Sequence, residues 1–283
     1  MKKILIIGKS SYVGMSLEKW LGYDFDRYST DSISVRNDRW KEMDFSVYDV
    51  VIHVAGIAHI KETKENAEIY YKVNRDLAYE VAQKAKVEGV EQFIFFSSMS
   101  VYGIESGVID KNSSVQPKSN YGKSKLQAEE LLLSIEESFF RVAILRPPMI
   151  YGKGCKGNYT KLGKFALIAP IFPDIENKRS MIFIYNLCEF VRLLIDNFDS
   201  GVYFPQNRDY VKTSNMVELI AETHGKKIWK IKFLNPIVYY LRRRIGTVNK
   251  VFGDLVYDKE ISIYKEDYYV VDYTKSIKVT EQK

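Results

Sequence analysis

KILIIGKSSYVG, residues 3–14, is the stretch that decides the fold. Ile4 to Ile7 form an unbroken apolar run, as expected of a strand covered on both faces. Gly8 and Gly14 then frame a turn, and Tyr12 to Leu21 carries the spacing of a helix. A strand that turns at once into a helix brings unpaired helix-opening N–H groups to the carboxyl end of the sheet, where they favour a pyrophosphate. The middle glycine of such a loop is Ser11 here, and an ordinary strand-to-helix turn has a similar look.

Further strands are predicted at 49–54, 92–97 and 142–145, separated by helical stretches at 67–88 and 121–136. This alternation is the pattern of βαβ units, so the expected fold is α/β with a doubly wound parallel sheet. Past Pro147, Gly152, Gly154, Gly157, Pro170 and Pro173 break the chain, which marks a lobe boundary. A strand at 181–184 and a helix at 186–198 are expected to rejoin the sheet. The predicted division is therefore 1–151 plus about 181–211 against 152–180 plus about 212–283. The Tyr-rich pieces beyond a helix at 215–224 have no predicted place.

The 283 residues are 46% hydrophobic and 28% charged, an ordinary globular composition. Cys155 and Cys188 have no CxxC spacing or His cluster beside them, so neither a metal site nor a disulfide framework is expected, and a reducing, cytoplasmic setting fits. The opening MKK and Ile4–Ile7 are too short in apolar length for a signal or a span, so no membrane association is expected. Net charge is +6, with only Arg242–Arg244 approaching a basic run. That argues against nucleic acid as a partner and suits a cleft for phosphates.

Two motifs carry chemistry. In YGKSK, Tyr121 and Lys125 stand four apart at the start of a predicted helix, which puts an ammonium and a phenol on one face and favours phenolate. A solvated helix face shows the same spacing. FIFFSSMSVYG ends the preceding strand in a hydroxyl-rich turn, so Ser97, Ser98 and Ser100 compete to bond a reacting oxygen. Asp31 is the best-placed carboxylate for a cofactor ribose, with Asp24, Asp26, Arg27 and Arg36 near it, so NAD and NADP are not separated.

These motifs, taken in order, resemble the extended short-chain dehydrogenase/reductases, in particular the nucleotide-sugar epimerase/dehydratase group. The resemblance runs from Lys3 to about Phe190 through GKSSYVG, DVVIHVAGIAH, KVNRDL, SSMSVYG, YGKSK, RPPMIYG and RSMIFIYNL. It implies a Rossmann sheet with a smaller mixed C-terminal substrate-binding lobe and bound NAD or NADP. It implies cofactor contacts at Gly8, Ser10, Ser11, Tyr12, Val13, Gly14, Asp31, His53, Ala55, Gly56 and Pro148, and a structural Asn74. Ser98, five residues before Gly103, takes the role of catalytic hydroxyl, Tyr121 that of acid/base, and Lys125 that of ribose contact and tuner of Tyr121. Ser98 and Ser100 then face substrate, Arg179 matches the arginine that grips a sugar-nucleotide diphosphate, and Asn158 matches a diphosphate or uridine contact. A surface salt bridge is the rival account of Arg179.

Met99 and Ser100 stand where dehydratases of the group carry an Asp-Glu pair, so elimination of water is set aside. Asn186 replaces an Asp of the pattern as a structural change. His53, His59 and His224 suggest no metal. The resemblance implies an oxidoreductase acting at C4 of a nucleotide-linked, UDP-type sugar in cell-surface polysaccharide biosynthesis, a 4-keto-sugar reductase with a slight preference over a 4-epimerase. A cofactor-binding regulator without turnover is the alternative from another class. A homodimer is frequent in the group.

Overall fold

In the computed structural model, which describes residues 1–58, 60 and 62–282, twelve strands are assigned among those residues. Six form one parallel sheet: β1 (Lys2–Ile7), β2 (Tyr28–Ile33), β3 (Val50–His53), β4 (Gln92–Phe96), β6 (Arg141–Leu145) and β10 (Gly201–Tyr203). Their order is β10-β6-β4-β3-β1-β2, so the winding reverses between β1 and β3, and the carboxyl ends of these two strands form the ligand-binding position of such sheets. The remaining strands make two-stranded parallel pairs: β5 (Gly107–Ile109) with β12 (Leu255–Tyr257), β7 (Met149–Tyr151) with β9 (Met181–Phe183), and β8 (Ile171–Pro173) with β11 (Trp229–Ile231).

The chain divides into two compact units. One comprises Met1–Gly103, Ser114–Pro147 and Leu187–Pro205; the other comprises Ile104–Ser113, Pro148–Asn186 and Gln206–Lys283. The strand expected at 181–184 does not rejoin the central sheet. Its residues pair with β7 in the second unit, and the strand that completes the sheet is β10, beside β6. A three-residue apolar run reads the same in either setting, which is why spacing alone misplaced it.

Ile4 to Ile7 and Val50 to Ile52 are wholly buried, in keeping with a sheet covered on both faces. Helix α1 (Tyr12–Leu21) follows β1. The short α2 (Ala67–Tyr71) passes through a π-helical turn, Lys72–Asp76, into α3 (Leu77–Val87). Helix α4 (Asn120–Ser134) is capped by Ser119, whose side chain accepts the Gly122 N–H at 3.0 Å.

Part of the Tyr-rich tail, Tyr257 and Tyr268 among it, is core of the second unit. Tyr268 donates to the Gln206 carbonyl at 3.0 Å, and Tyr151 and Ser276 share a hydrogen bond of 2.6 Å, so each ring is buried with its hydroxyl paired. The expected structural role of Asn186 has a concrete form: its side chain donates to the Val271 carbonyl at 2.9 Å and accepts the Val271 N–H at 3.0 Å.

Candidate active site

Gly8 sits at φ +124°, and a Cβ there would lie 3.0 Å from the Ala55 nitrogen and from Val54 Cγ2, so only glycine lets the β1 and β3 ends close on one another. The Ile7 carbonyl takes the N–H groups of both Val54 and Ala55, at 3.0 and 2.9 Å. Ser11 fills the place of the missing glycine as the N-cap of α1, accepting the Gly14 N–H at 2.9 Å. The serine thus turns inward to the helix, and the rest of the opening turn retains N–H groups with no acceptor inside the helix. Ser10 is exposed, while Tyr12 and Val13 are partly so. This cradle fits a dinucleotide pyrophosphate.

Asp31 lies within β2, opposite Leu5, two residues short of the strand's end, and its carboxylate accepts the Tyr48 hydroxyl at 2.8 Å. Level with the end of β1 is Ile33, whose carbonyl takes the N–H groups of Gly8 and Lys9, and Ser34, Val35 and Arg36 follow it. The side chains of Lys9 and Arg36 are exposed there. Asp31 is therefore displaced from the position expected of a ribose ligand, because β2 runs on past it.

His53 is a core residue rather than a cofactor contact. It is wholly buried, ringed by Phe93 and Phe95, with centroid distances of 6.1 and 6.0 Å. Burial and the nearby Lys125 charge push its imidazole down to about 3, so it is neutral. Ala55 and Gly56 do line the turn after β3. Asn74, in the π-helical turn, holds that turn by accepting the Ile57 N–H at 2.8 Å and donating to the Ile57 carbonyl at 3.1 Å, and it reaches Ser124 on α4 at 3.1 Å. His59 lies outside the described residues, and among those described no cluster of potential metal ligands occurs.

The three serines after β4 are separated by their surroundings. Ser97 is buried and donates to Glu129. Ser100 is exposed. Ser98 is partly buried; its hydroxyl caps the turn Met99–Tyr102 through the Ser100 N–H at 3.1 Å, and its proximity to the Tyr121 phenol opposes the rise that burial imposes on that phenol's pKa. The opening turn of α4 lies directly on this loop. A Cβ on Gly122 would approach the Ser100 carbonyl oxygen to 2.6 Å, so the glycine between Tyr121 and Lys125 is what lets the two motifs meet.

Lys125 departs from expectation. Its ammonium donates to the Phe96 carbonyl at 2.7 Å and lies 4.5 Å from the Phe95 ring centre, and burial lowers its pKa to about 7. The ammonium is thus engaged by a backbone carbonyl, while burial raises the pKa of Tyr121. The Lys125 ammonium would nonetheless lie 3.3 Å from a Cβ on Gly56, against the turn after β3.

Three residues that the motifs did not single out support this arrangement. Glu62 accepts the N–H groups of Asn120 and Tyr121 at 3.0 and 3.1 Å. Glu129, one turn beyond Lys125 on α4, is buried and ion-paired with Arg146 at 2.5 Å, and Arg146 also donates to the Tyr102 hydroxyl at 2.9 Å. The four-residue step from Lys125 to Glu129 was readable as a shared helix face; nothing in KETKEN distinguished Glu62.

In the second unit, Arg179 is partly buried and donates to the Gly253 carbonyl at 3.4 Å, with Asp254 the carboxylate that favours its charge. It has no ion pair within 4 Å among the described residues, so it is not the surface salt bridge that rivalled the anion-gripping role. Asn158 is the exposed first residue of α5 (Asn158–Ile168), and Pro148 is buried at the start of this unit's second segment.

Residues 32–221 match the family model described as the NAD dependent epimerase/dehydratase family. A UDP-glucose 4-epimerase of Vibrio cholerae is 28% identical over 89% of this chain and 83% of its own. An N-acetyl-alpha-D-glucosaminyl-diphospho-ditrans,octacis-undecaprenol 4-epimerase of Escherichia coli O157:H7 is also 28% identical, over 83% of this chain and 76% of its own. A UDP-glucuronic acid 4-epimerase from Bacillus cereus, solved with NAD, superposes with a TM-score of 0.77 over 99% of this chain and 97% of its own; at 19% identity this shows the shared fold.

Proposed function

The chain belongs to the NAD-dependent epimerase/dehydratase family, and from that membership we propose that it is a 4-epimerase of a diphosphate-activated sugar. The observation that carries this reading is the grouping of Ser98, Tyr121 and Lys125 around the carboxyl end of β4 and the start of α4. Family resemblance to the 4-keto-sugar reductases gave that activity a slight preference. Two relatives matched over most of their own length are 4-epimerases, and they move the weight to epimerisation.

When bound, NAD supplies reversible hydride transfer at C4. The chain's own part is proton handling and positioning. Tyr121 removes the C4 hydroxyl proton as the carbinol is oxidised and returns it when the ketone is reduced on its other face, so the cycle leaves no net change in redox state or protons. Ser98 donates to the same oxygen and holds it against Tyr121. Lys125, close to Gly56, is positioned to leave the Phe96 carbonyl for a ribose hydroxyl and bring its charge toward the phenol. Arg179 offers a planar fork for the diphosphate. Met99 and Ser100, in place of an acid pair, leave no group to expel water.

The test is incubation with a panel of UDP-sugars, with products resolved by chromatography and mass. C4 epimers should form without added reductant, and Tyr121→Phe should lower the rate by about 10²–10⁴-fold. A turnover unchanged in that variant overturns the assignment.

A 4-keto-sugar reductase is the second reading, and the exposed Lys9 and Arg36 beside the end of β2 favour it, because cations there suit the 2′-phosphate of NADP. Tightly held NAD after purification supports the epimerase; a dependence on added NADPH with a 4-keto sugar supports the reductase.

A further inference from the structure

The whole basic excess of the chain lies in one stretch. Residues 226–253, KKIWKIKFLNPIVYYLRRRIGTVNKVFG, carry eight Lys and Arg and no Asp or Glu, a charge of +8, whereas the complete chain is +6, leaving −2 for everything else. Of these eight, Lys230 is paired with Glu218 at 2.6 Å; the other seven have no carboxylate within 4 Å among the described residues. The cations are interleaved with large apolar side chains that face solvent. Trp229 is 60% exposed, Phe233 74%, Ile237 57% and Tyr240 57%.

This segment is not misfolded core. Helix α8 (Asn235–Arg242) buries Val238 and exposes Ile237 and Tyr240, three residues apart, and the exposed Phe233 stands in the turn before it. Upstream, exposed Trp229 pairs in register with exposed Ile171 across β11 and β8, which extends the apolar strip. Arg242 and Arg244 lie over the rings of Tyr239 and Tyr240 at 5.0 and 4.7 Å, and Lys227 over Trp229 at 4.3 Å, so charge and aromatic surface are presented together. A strip of Trp, Phe, Ile and Tyr flanked by unpaired Lys and Arg has the chemistry of an interfacial segment: the apolar side chains enter the boundary of the acyl region while the cations meet anionic headgroups.

We propose that residues 226–250 form a peripheral docking surface for an anionic lipid bilayer. Sequence reasoning expected no membrane partner because no stretch is long enough to span; among the described residues no helix is long and apolar enough to cross a membrane, and a surface that lies on the bilayer needs none. Charge complementarity selects lipid over a second copy of the chain, since two copies would bring +8 against +8. The proposal stands independently of the proposed reaction.

The experiment is co-sedimentation of the full chain with vesicles of phosphatidylcholine alone or with one third phosphatidylglycerol, at low and at physiological salt. Binding is expected to the anionic vesicles only and to weaken with salt. Arg242→Gln, Arg243→Gln and Arg244→Gln together should lower the partition coefficient on the order of 100-fold. Phe233→Ser with Ile237→Ser, at exposed positions, should also release the protein, which separates insertion from simple charge attraction. Melting temperature and turnover of soluble substrate should not change in either variant. Equal binding to both vesicle types, or none to the anionic ones, overturns the proposal, as does a dimer in sedimentation equilibrium that the Phe233/Ile237 variant dissociates while vesicles remain unbound. Retention on RNA that outcompetes anionic vesicles overturns it too.

Discussion

Glu62 accepts the backbone N–H of Tyr121 at 3.1 Å, so the residue proposed as acid/base is held by a carboxylate from the loop after β3 as well as by its own helix. Because the same carboxylate takes the Asn120 N–H, it acts as a charged cap on α4, where the helix dipole favours a negative group. Glu62→Ala should cost about 1 kcal/mol of stability. If the cap also positions the phenol, kcat should fall several-fold with little change in KM, and Glu62→Gln should restore less than half of the loss. A variant that melts earlier but turns over normally would reduce Glu62 to a structural cap.

The buried Glu129–Arg146 pair makes a second, sharper prediction. Glu129 is 2% exposed and Arg146 12%, so Glu129→Ala leaves a guanidinium and the Ser97 hydroxyl without their buried acceptor, a loss of about 3–5 kcal/mol in urea unfolding. Glu129 also supports the charge on Lys125. In the milder Glu129→Gln the Lys125 pKa should drop further below about 7, and the alkaline limb of the activity profile should move to lower pH. An unmoved limb would show that Lys125 does not control that limb.

His53 gives stability a predictable dependence on acid. Its imidazole titrates near 3 when folded and near 6.5 when unfolded, so the unfolded chain binds the extra proton between these values. Its contribution is complete above about pH 6.5 and is lost as pH falls toward 3, by a few kcal/mol over that window. His53→Leu, which keeps an apolar filler between Phe93 and Phe95, should flatten the fall in the urea midpoint between pH 6.5 and 5. A slope identical to that of the parent would mean that the acid lability lies elsewhere.

Cofactor choice can be read at the end of β2. Arg36→Ala should weaken NADPH binding about 10-fold while leaving NADH within twofold, as expected of one lost charge-assisted contact to a phosphate. Asp31→Asn should change neither, because its carboxylate is engaged by Tyr48. Isothermal titration with both dinucleotides measures this directly; a large loss of NADH affinity in the Asp31 variant would return that residue to the ribose.

The sheet was legible because buried parallel strands leave unbroken apolar runs, as at Ile4–Ile7 and Val50–Ile52, and because glycine at 8 answers a backbone need. The helix period that relates Tyr121 to Lys125 was legible in the sequence, and their proposed catalytic grouping starts from it. Asp31 was favoured because spacing counts residues and not where the strand stops. His53 misled because a polar residue at a strand end looks like a ligand until its burial is known. Glu62 was invisible, since its partners are backbone amides 58 and 59 positions away that any carboxylate would satisfy. The strand at 181–183 was assigned to the wrong sheet for want of any local signal of its neighbour.

The π-helical turn at Lys72–Asp76 has a consequence for how the chain tolerates change. Such a turn accommodates one residue more than an α-helical path would, and it lies between α2 and α3 with Asn74 inside it. Deleting one residue there would restore an α-helical path and leave the flanking helices nearly in phase, yet it would remove the bulge that carries Asn74. Asn74 would then leave Ile57 and Ser124, unfastening the turn after β3 from α4. A more regular helix at this place would be a poorer fastener between the turn after β3 and α4.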